Sequence, residues 1–573
     1  MSTVQKTLYM WPSAWSKPCV HGEAGAVSCN NAYATCAGLE ILQQGGNAFD
    51  AAAAVSLALS VVEPHHSGIG GGCFSLMYSC KEKAVTALDA RGIAPQNAKS
   101  DLFLKDGEVQ DEWKDLGGQS VAIPGLLRAL DVMLDRYGTM TIKQVAAPAI
   151  RYARTGFGMS FTGSLTMQDD SVQRKMRISE EFRRLYTKSD GSYYELGETV
   201  AFPELGDLIE KIAHEGVDAF YTGEVAKKMV ESINKRGGCF TLDDLKNYQP
   251  KFREPIRSTY RDCDVVAFPL PGGGPALIEM LNILESFDLA AMGHNTADSI
   301  HAIAEAMKLG FADRSIEMAD PDFVDVDTKQ LTSKAHAAAR YAQIDHSKAG
   351  DYTTQSEGNA ITEYPGNTSH FVVMDCHGNV VSHTQTVRDW YGSGIVVDGL
   401  GFVLNNNMSD FSAKPGALTS QGLTYSSANC IEGGKTPLSS MSPCILFKNG
   451  APWLAIGAAG GPRIITGTLQ GIINAVDYGM LPEQLVRAPY ITCLTLEQGL
   501  ELEHGISQDT IKMLEARGHK PVCLPVDQAL SSMLNSVMVI DGQYYPCSTE
   551  RIDGCGGALL HSGRMLLDGI CQL

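Results

Sequence analysis

The sequence predicts a mixed α/β (α+β) fold built around a large buried core, and three stretches carry that expectation. Ala48–Val62 is apolar almost all round and rich in alanine, the pattern of a helix buried on every side. Cys73–Tyr78 and residues 84–92 follow as strand-like segments. Further on, apolar Phe371–Met374, a polar Asp-Cys-His-Gly-Asn turn and a β-branched return from Val380 to Thr386 read as a hairpin.

The elements fall in order around these stretches. Asn30-Asn31 can cap a helix over residues 32–44, which Gly45-Gly46-Asn47 ends before Ala48 opens the buried one. Residues 1–25 read as an irregular leader. Helical periodicity recurs at 124–137, 142–155, 205–214, 223–236, 242–247, 276–287 and 296–318, with a strand at 256–267. Residues 326–366 are polar and short of large apolar side chains, as expected of an exposed, mobile connector. Strands at 444–448 and 454–458 then lead through Gly460-Gly461-Pro462-Arg463 into a helix at 464–478.

Composition narrows the function. The chain has 573 residues, enough for three or four domain equivalents, with 44% hydrophobic and 19% charged residues. A net charge of -19 argues against nucleic acid or an anionic membrane surface as partner. There is no run of 18 apolar residues and no apolar leader segment at the start, so neither a membrane span nor a secretory signal is expected. Fifteen cysteines, an odd number without CxxC pairs, fit small core hydrophobes in a reducing compartment and point to the cytoplasm.

Two chemical readings attach to loops. Glu63-Pro64-His65-His66-Ser67-Gly68-Ile69-Gly70-Gly71-Gly72 sits between helix and strand, the reverse of the order that aims amides at a phosphate. Its glycines read as close backbone packing, and the adjacent histidines as poor joint metal ligands; no metal or cofactor is expected. Thr368 stands where a Pro/Gly/Asn loop meets a strand. It is an ordinary strand start, or an N-terminal nucleophile if the bond after Asn367 is cut, its own amine then serving as base. His370 reads as a polar core residue, because a nucleophile of this kind needs no histidine. The double glycine at 460–461 is a turn able to point two amides at one oxygen, and Arg91 is either a surface residue or a carboxylate fork.

Taken together, the chain resembles the γ-glutamyltransferases, or glutathione hydrolases, of the N-terminal nucleophile superfamily. The resemblance rests on an ordered series: Gly45–Ala52, Pro64–Gly72, Leu88–Arg91, Asp320–Phe323, Thr368–His370, Asn405–Phe411, Pro437–Pro443 and Gly460-Gly461. It implies a four-layer αββα sandwich and a proenzyme that cuts itself before Thr368. Chains 1–367 and 368–573 would then form a heterodimer acting on a small-molecule amide. The resemblance also implies Thr368 as nucleophile, Thr386 orienting the new amine, and Gly460 and Gly461 as oxyanion amides. Arg91, Ser439 and Ser440 would hold the substrate α-carboxylate, and Asp410 its ammonium, with Asn407 beside it.

Two positions depart from the family pattern. The usual Gln is Asn407, and the position two after the second threonine, commonly Asn, is Arg388. A cation there repels an ammonium and attracts a carboxylate. Three outcomes stay open: γ-glutamyl chemistry, a sibling amidohydrolase of the oxamate or cephalosporin-acylase type, and a silent binding protein. Loop 412–436 is a connector or a lid.

Overall fold

The computed structural model describes residues 19–352, 367–417, 424–525 and 532–568. Residues 1–18 of the expected leader, 353–366 of the connector and 418–423 of the 412–436 loop lie outside them.

Two sheets form the centre. Their strands in chain order are Gly25–Cys29 (β1), Gly72–Ser79 (β2), Ala84–Ala90 (β3), Lys251–Arg253 (β4), Ile256–Tyr260 (β5), Cys263–Ala267 (β6), Ser369–Asp375 (β7), Val380–Thr386 (β8), Cys444–Lys448 (β9), Ala451–Ala459 (β10), Met533–Ile540 (β11), Gln543–Ser548 (β12), Cys555–Leu559 (β13) and Met565–Leu567 (β14). The first sheet runs β14-β13-β1-β7-β8-β2-β3-β4 and the second β12-β11-β10-β9-β6-β5, with antiparallel pairing throughout. The hairpin β7–β8 lies at the middle of the first sheet and packs on β10 and β11 of the second.

Side-chain alternation explains the layering. Cys73 and Met77 of β2, Phe371 and Val373 of β7, and Val381 of β8 point into a core shared with the helices Ala32–Gln43 (α1), Ala48–Val62 (α2), Leu126–Tyr137 (α3) and Ile142–Thr155 (α4). Phe74 and Leu76, then Val372, Met374 and Val380, point the other way into a core containing the second sheet. The helices Gly274–Leu284 (α5), Ala297–Glu317 (α6) and Arg463–Val476 (α8) share that second core. Each fully buried Val, Leu or Phe in these seams contributes about 1.5–3 kcal/mol by leaving water. The result is the expected helix–sheet–sheet–helix sandwich. Helix α2 is buried at every position, capped by the Asn47 side chain, which accepts from the Phe49 and Asp50 amides.

Two expectations change. The segment read as a strand at 256–267 is the hairpin β5–β6, turned at Arg261, whose φ is 53°. The expected connector is folded as far as it is described, with short helices at Thr328–Leu331 and Lys334–Tyr341 (α7). Leu331, Ala337 and Ile344 enter the second core, while His336 and Arg340 both bind the Asp313 carboxylate of α6. Three apolar residues so far apart make no periodic stripe, which is why the sequence looked solvated. Among the described residues no helix is long and apolar enough to cross a membrane.

Candidate active site

Thr368 is buried immediately before β7, beside the end of β8. Its Oγ1 donates to Thr386 Oγ1 at 3.0 Å, and its carbonyl accepts from Asn30 Nδ2 at 3.3 Å. The Thr386 hydroxyl oxygen also accepts the Arg388 amide at 2.8 Å. Thr368 has φ 145°, inside the region that L-residues avoid, and the preceding Asn367 is buried with its side-chain carbonyl oxygen lacking a partner. The strained residue is the one whose amide the resemblance expects to be cut.

Backbone packing accounts for the glycine loop. A Cβ on Gly71 would lie 2.2 Å from the Thr386 carbonyl oxygen, and one on Gly70 would lie 2.0 Å from that of Val403. Side chains are excluded where the loop braces the second threonine. Asn405 ties the same place down: its Nδ2 donates to the carbonyls of Gly70 (2.7 Å) and Ala122 (2.9 Å). Opposite, Gly460 and Gly461 turn from β10 into α8 with φ 131° and 60°, conformations that suit glycine.

Of the expected substrate-binding residues, Arg91, Asp410 and Asn407 come together at the end of β3. Arg91 is buried there; its NH2 donates to Asp410 Oδ2, while Nε and NH1 have no hydrogen-bond partner. Burial lowers its proton affinity, and Asp410 works against that shift. Asn407, fully buried, likewise has both polar atoms of its side chain without partners. Gly92 leaves it room, since a Cβ there would come within 3.2 Å of Asn407 Nδ2. Ser439 and Ser440 are buried on a segment held to Pro271 by the Ser439 amide at 2.8 Å. Buried donors without partners cost roughly 1–3 kcal/mol each unless a ligand meets them. This cluster is therefore built to receive a polar group.

Arg388 changes the charge of that cluster. Its Nε donates to Asp410 Oδ1 at 2.7 Å and NH1 to Asp389 Oδ2 at 2.5 Å. Burial opposes the charged form, but Asp389, Asp410 and Asp115 overcome it and hold the guanidinium firmly protonated. Asp410, the expected ammonium acceptor, is thus gripped by two arginines, one on each oxygen. The sequence had not singled out Asp389, although it adjoins Arg388. Asn406, within the Asn405–Phe411 stretch, donates to Asp389 at 2.6 Å.

Other residues stay structural. His370 Nδ1 meets Thr384 Oγ1 at 2.8 Å, and its ring fills the space a Gly457 Cβ would need. Burial, then His383, pushes its pKa down to about 3, so it is neutral and no base. Ser442 is buried with its hydroxyl unpartnered. Beside His65 and His66 the structure places the Glu63 carboxylate. Its Oε2 accepts from Ser369 Oγ at 3.0 Å and faces His66 Nδ1 at 3.4 Å, bracing the residue after Thr368.

The buried histidines predict a pH effect. His370 and His383 are both lowered to about 3 by burial, against an ordinary value near 6.5. Their stabilising contribution is full above 6.5 and is lost as pH falls from there toward 3, since only the unfolded chain takes up the protons. Each costs about 1.4 kcal/mol per pH unit within that window. Urea midpoints at pH 7.5, 6.5 and 5.5 should fall increasingly steeply, and a flat series would contradict it.

Comparison with known proteins follows the same lines. Residues 34–558 match the gamma-glutamyltranspeptidase family. The chain is 38% identical over 534 residues to the glutathione hydrolase proenzyme of Escherichia coli K12, covering 93% of this chain and 91% of that one. It is 33% identical over 515 residues to the acylase ACY 1 proenzyme of Pseudomonas sp. SE83, covering 88% of each. Among solved structures, the cephalosporin acylase of Bacillus halodurans superposes with a TM-score of 0.84 at 28% identity, over 96% of this chain and 98% of that one. With the nucleophile hairpin, the double glycine and the arginine-lined subsite in one sandwich, the chain belongs to the γ-glutamyltranspeptidase family of enzymes.

Proposed function

We propose that the protein is a self-processing γ-glutamyl hydrolase and transferase, cut into chains 1–367 and 368–573 that stay together as a heterodimer. The observation that carries this is Thr368 Oγ1, buried 3.0 Å from Thr386 Oγ1 next to a partly unsatisfied arginine subsite. In maturation the Thr368 hydroxyl attacks the Asn367 carbonyl carbon. The peptide C–N bond gives way to an ester, freeing the Thr368 amine, and water hydrolyses the ester to an Asn367 carboxylate and the Thr368 hydroxyl. In turnover that amine takes the hydroxyl proton as Oγ1 attacks the substrate amide, and passes it to the departing amine. Gly460 and Gly461 stabilise the oxyanion, Thr386 orients the amine, and Arg91, Asn407, Ser439 and Ser440 hold the acyl end. Water or an amino acid then resolves the acyl-enzyme.

The grip of Arg91 and Arg388 on Asp410 favours one second reading, a sibling acylase for acids without an α-amine. A donor panel decides. Mature protein is assayed with γ-glutamyl, glutaryl, succinyl and oxamyl anilides. The proposal expects γ-glutamyl turnover with the highest kcat/KM; an inert γ-glutamyl compound beside an active amine-free one would replace it with the acylase.

A further inference from the structure

Among the described residues, two arginines have two buried guanidinium nitrogens each without a hydrogen-bond partner: Arg91 and Arg314. Arg91 belongs to the acyl subsite. Arg314, on α6, has no assigned role. It is 1% exposed, with Nε and NH2 unpartnered and NH1 donating to the Tyr425 hydroxyl. No carboxylate oxygen of the described residues lies within salt-bridge distance of it, whereas buried Arg388 and the part-buried Arg253, Arg463 and Arg551 each have at least one. A guanidinium cannot escape by losing its proton. Burying it without a counter-ion is strongly unfavourable. The Tyr425 ring, 5.1 Å from its centre, offers a cation–π contact but no negative charge. What is missing is an anion.

Its position says where the anion comes from. Tyr425 opens the described segment that leads to Ser439 and Ser440. Within that segment Asn429 Nδ2 donates to the Asp410 carbonyl at 2.8 Å, and Asn429 Oδ1 accepts the Leu438 amide at 3.0 Å. Tyr425, Leu438 and Met441 share one core. The same stretch of chain therefore joins Arg314 to Asp410 and to the two serines. Tyr425 also feels the charges of Arg314, Asp410 and Arg388. Arg91 follows β3 of the first sheet, and Arg314 lies in the helical layer over the second.

We propose that Arg314 is a second carboxylate-binding residue of the acyl subsite, so that an acyl group ending in a carboxylate is held between Arg91 and Arg314. The inference rests on acyl transfer by Thr368, not on which acid is transferred. It makes the subsite a two-arginine clamp in which the substrate supplies the counter-ion Arg314 lacks.

The test compares two donors of equal length on mature protein: glutaryl anilide, ending in a carboxylate, and its terminal primary amide. A γ-glutamyl pair with the α-carboxylate free or amidated is used if that is the series turned over. Wild type should prefer the acid at least 100-fold in kcat/KM. Arg314→Met should cut that preference at least tenfold, mainly through KM of the acid, and Arg314→Lys should restore part of it. Tyr425→Phe should keep the preference. Loss of turnover on both donors alike in a self-cleaved Arg314→Met would mean a packing role and overturn the proposal. So would a wild type indifferent to the carboxylate, which needs no variant to fold. Failure of γ-glutamyl specificity shows separately, in the donor panel.

Discussion

Thr368→Ala should remain a single 573-residue chain and lose turnover by at least about 10⁴-fold, because one atom serves both reactions. Without Oγ1 nothing attacks the Asn367 carbonyl, so the α-amine that acts as base is never freed. The substitution removes one hydroxyl and one methyl from a site whose neighbours are independently held: Thr386 by the Arg388 amide, the strand pairing by Ser369↔Gln385 and its successors. Folding should survive, and a denaturing gel then reads maturation alone. Thr368→Ser keeps the oxygen and should still cut itself, more slowly, since its freer χ1 leaves the hydroxyl less often aimed at Thr386. N-terminal sequencing of the small chain of the wild type should begin at Thr368. A small chain from Thr368→Ala beginning at the same place would show that another group performs the cleavage.

The hairpin at 371–386 and helix 48–62 are legible because their signals are local: a short apolar run, a polar turn and a β-branched return for the one, an apolar run between capping residues for the other. The same local logic located Thr368, the glycine loop and the double glycine. It could not see who faces whom. Whether Asp410 is open to an ammonium depends on Arg388, 22 residues away, and on Arg91, 319 away. Asn30, Glu63 and Asp389 act through contacts of which only the last is near in sequence. Arg314 looked like one more helical cation, and its significance lies in the absence of a carboxylate that only the fold reveals. The connector failed for a related reason, since residues 331, 337 and 344 are buried by a surface contributed from elsewhere. Sequence patterns report an element's own periodicity, whereas a subsite's charge is a property of elements brought together.

Charge makes Arg388→Asn the sharpest test of specificity. A guanidinium about 6 Å from a substrate ammonium would oppose it by roughly 3 kcal/mol at an effective dielectric near 20, before Asp389 offsets part. Removing it frees Asp410 Oδ1, while Asp410 Oδ2 keeps Arg91. The ratio of γ-glutamyl to glutaryl kcat/KM should therefore rise 10- to 100-fold, the glutamyl compound gaining and the amine-free acid losing an attractive cation. Two local facts favour a foldable variant. Arg388 sits at φ 82°, a conformation Asn adopts more readily than Arg, and Asp389 retains the Asn406 amide at 2.6 Å. Breaking a buried pair still costs about 3–5 kcal/mol, so rates must be counted per self-cleaved molecule. An unchanged ratio in cleaved Arg388→Asn would place this arginine outside the reach of substrate and leave its ion pairs as structure alone. A reversed ratio would mean that the guanidinium helps bind the glutamyl carboxylate, with Asp410 serving to hold the arginine in place.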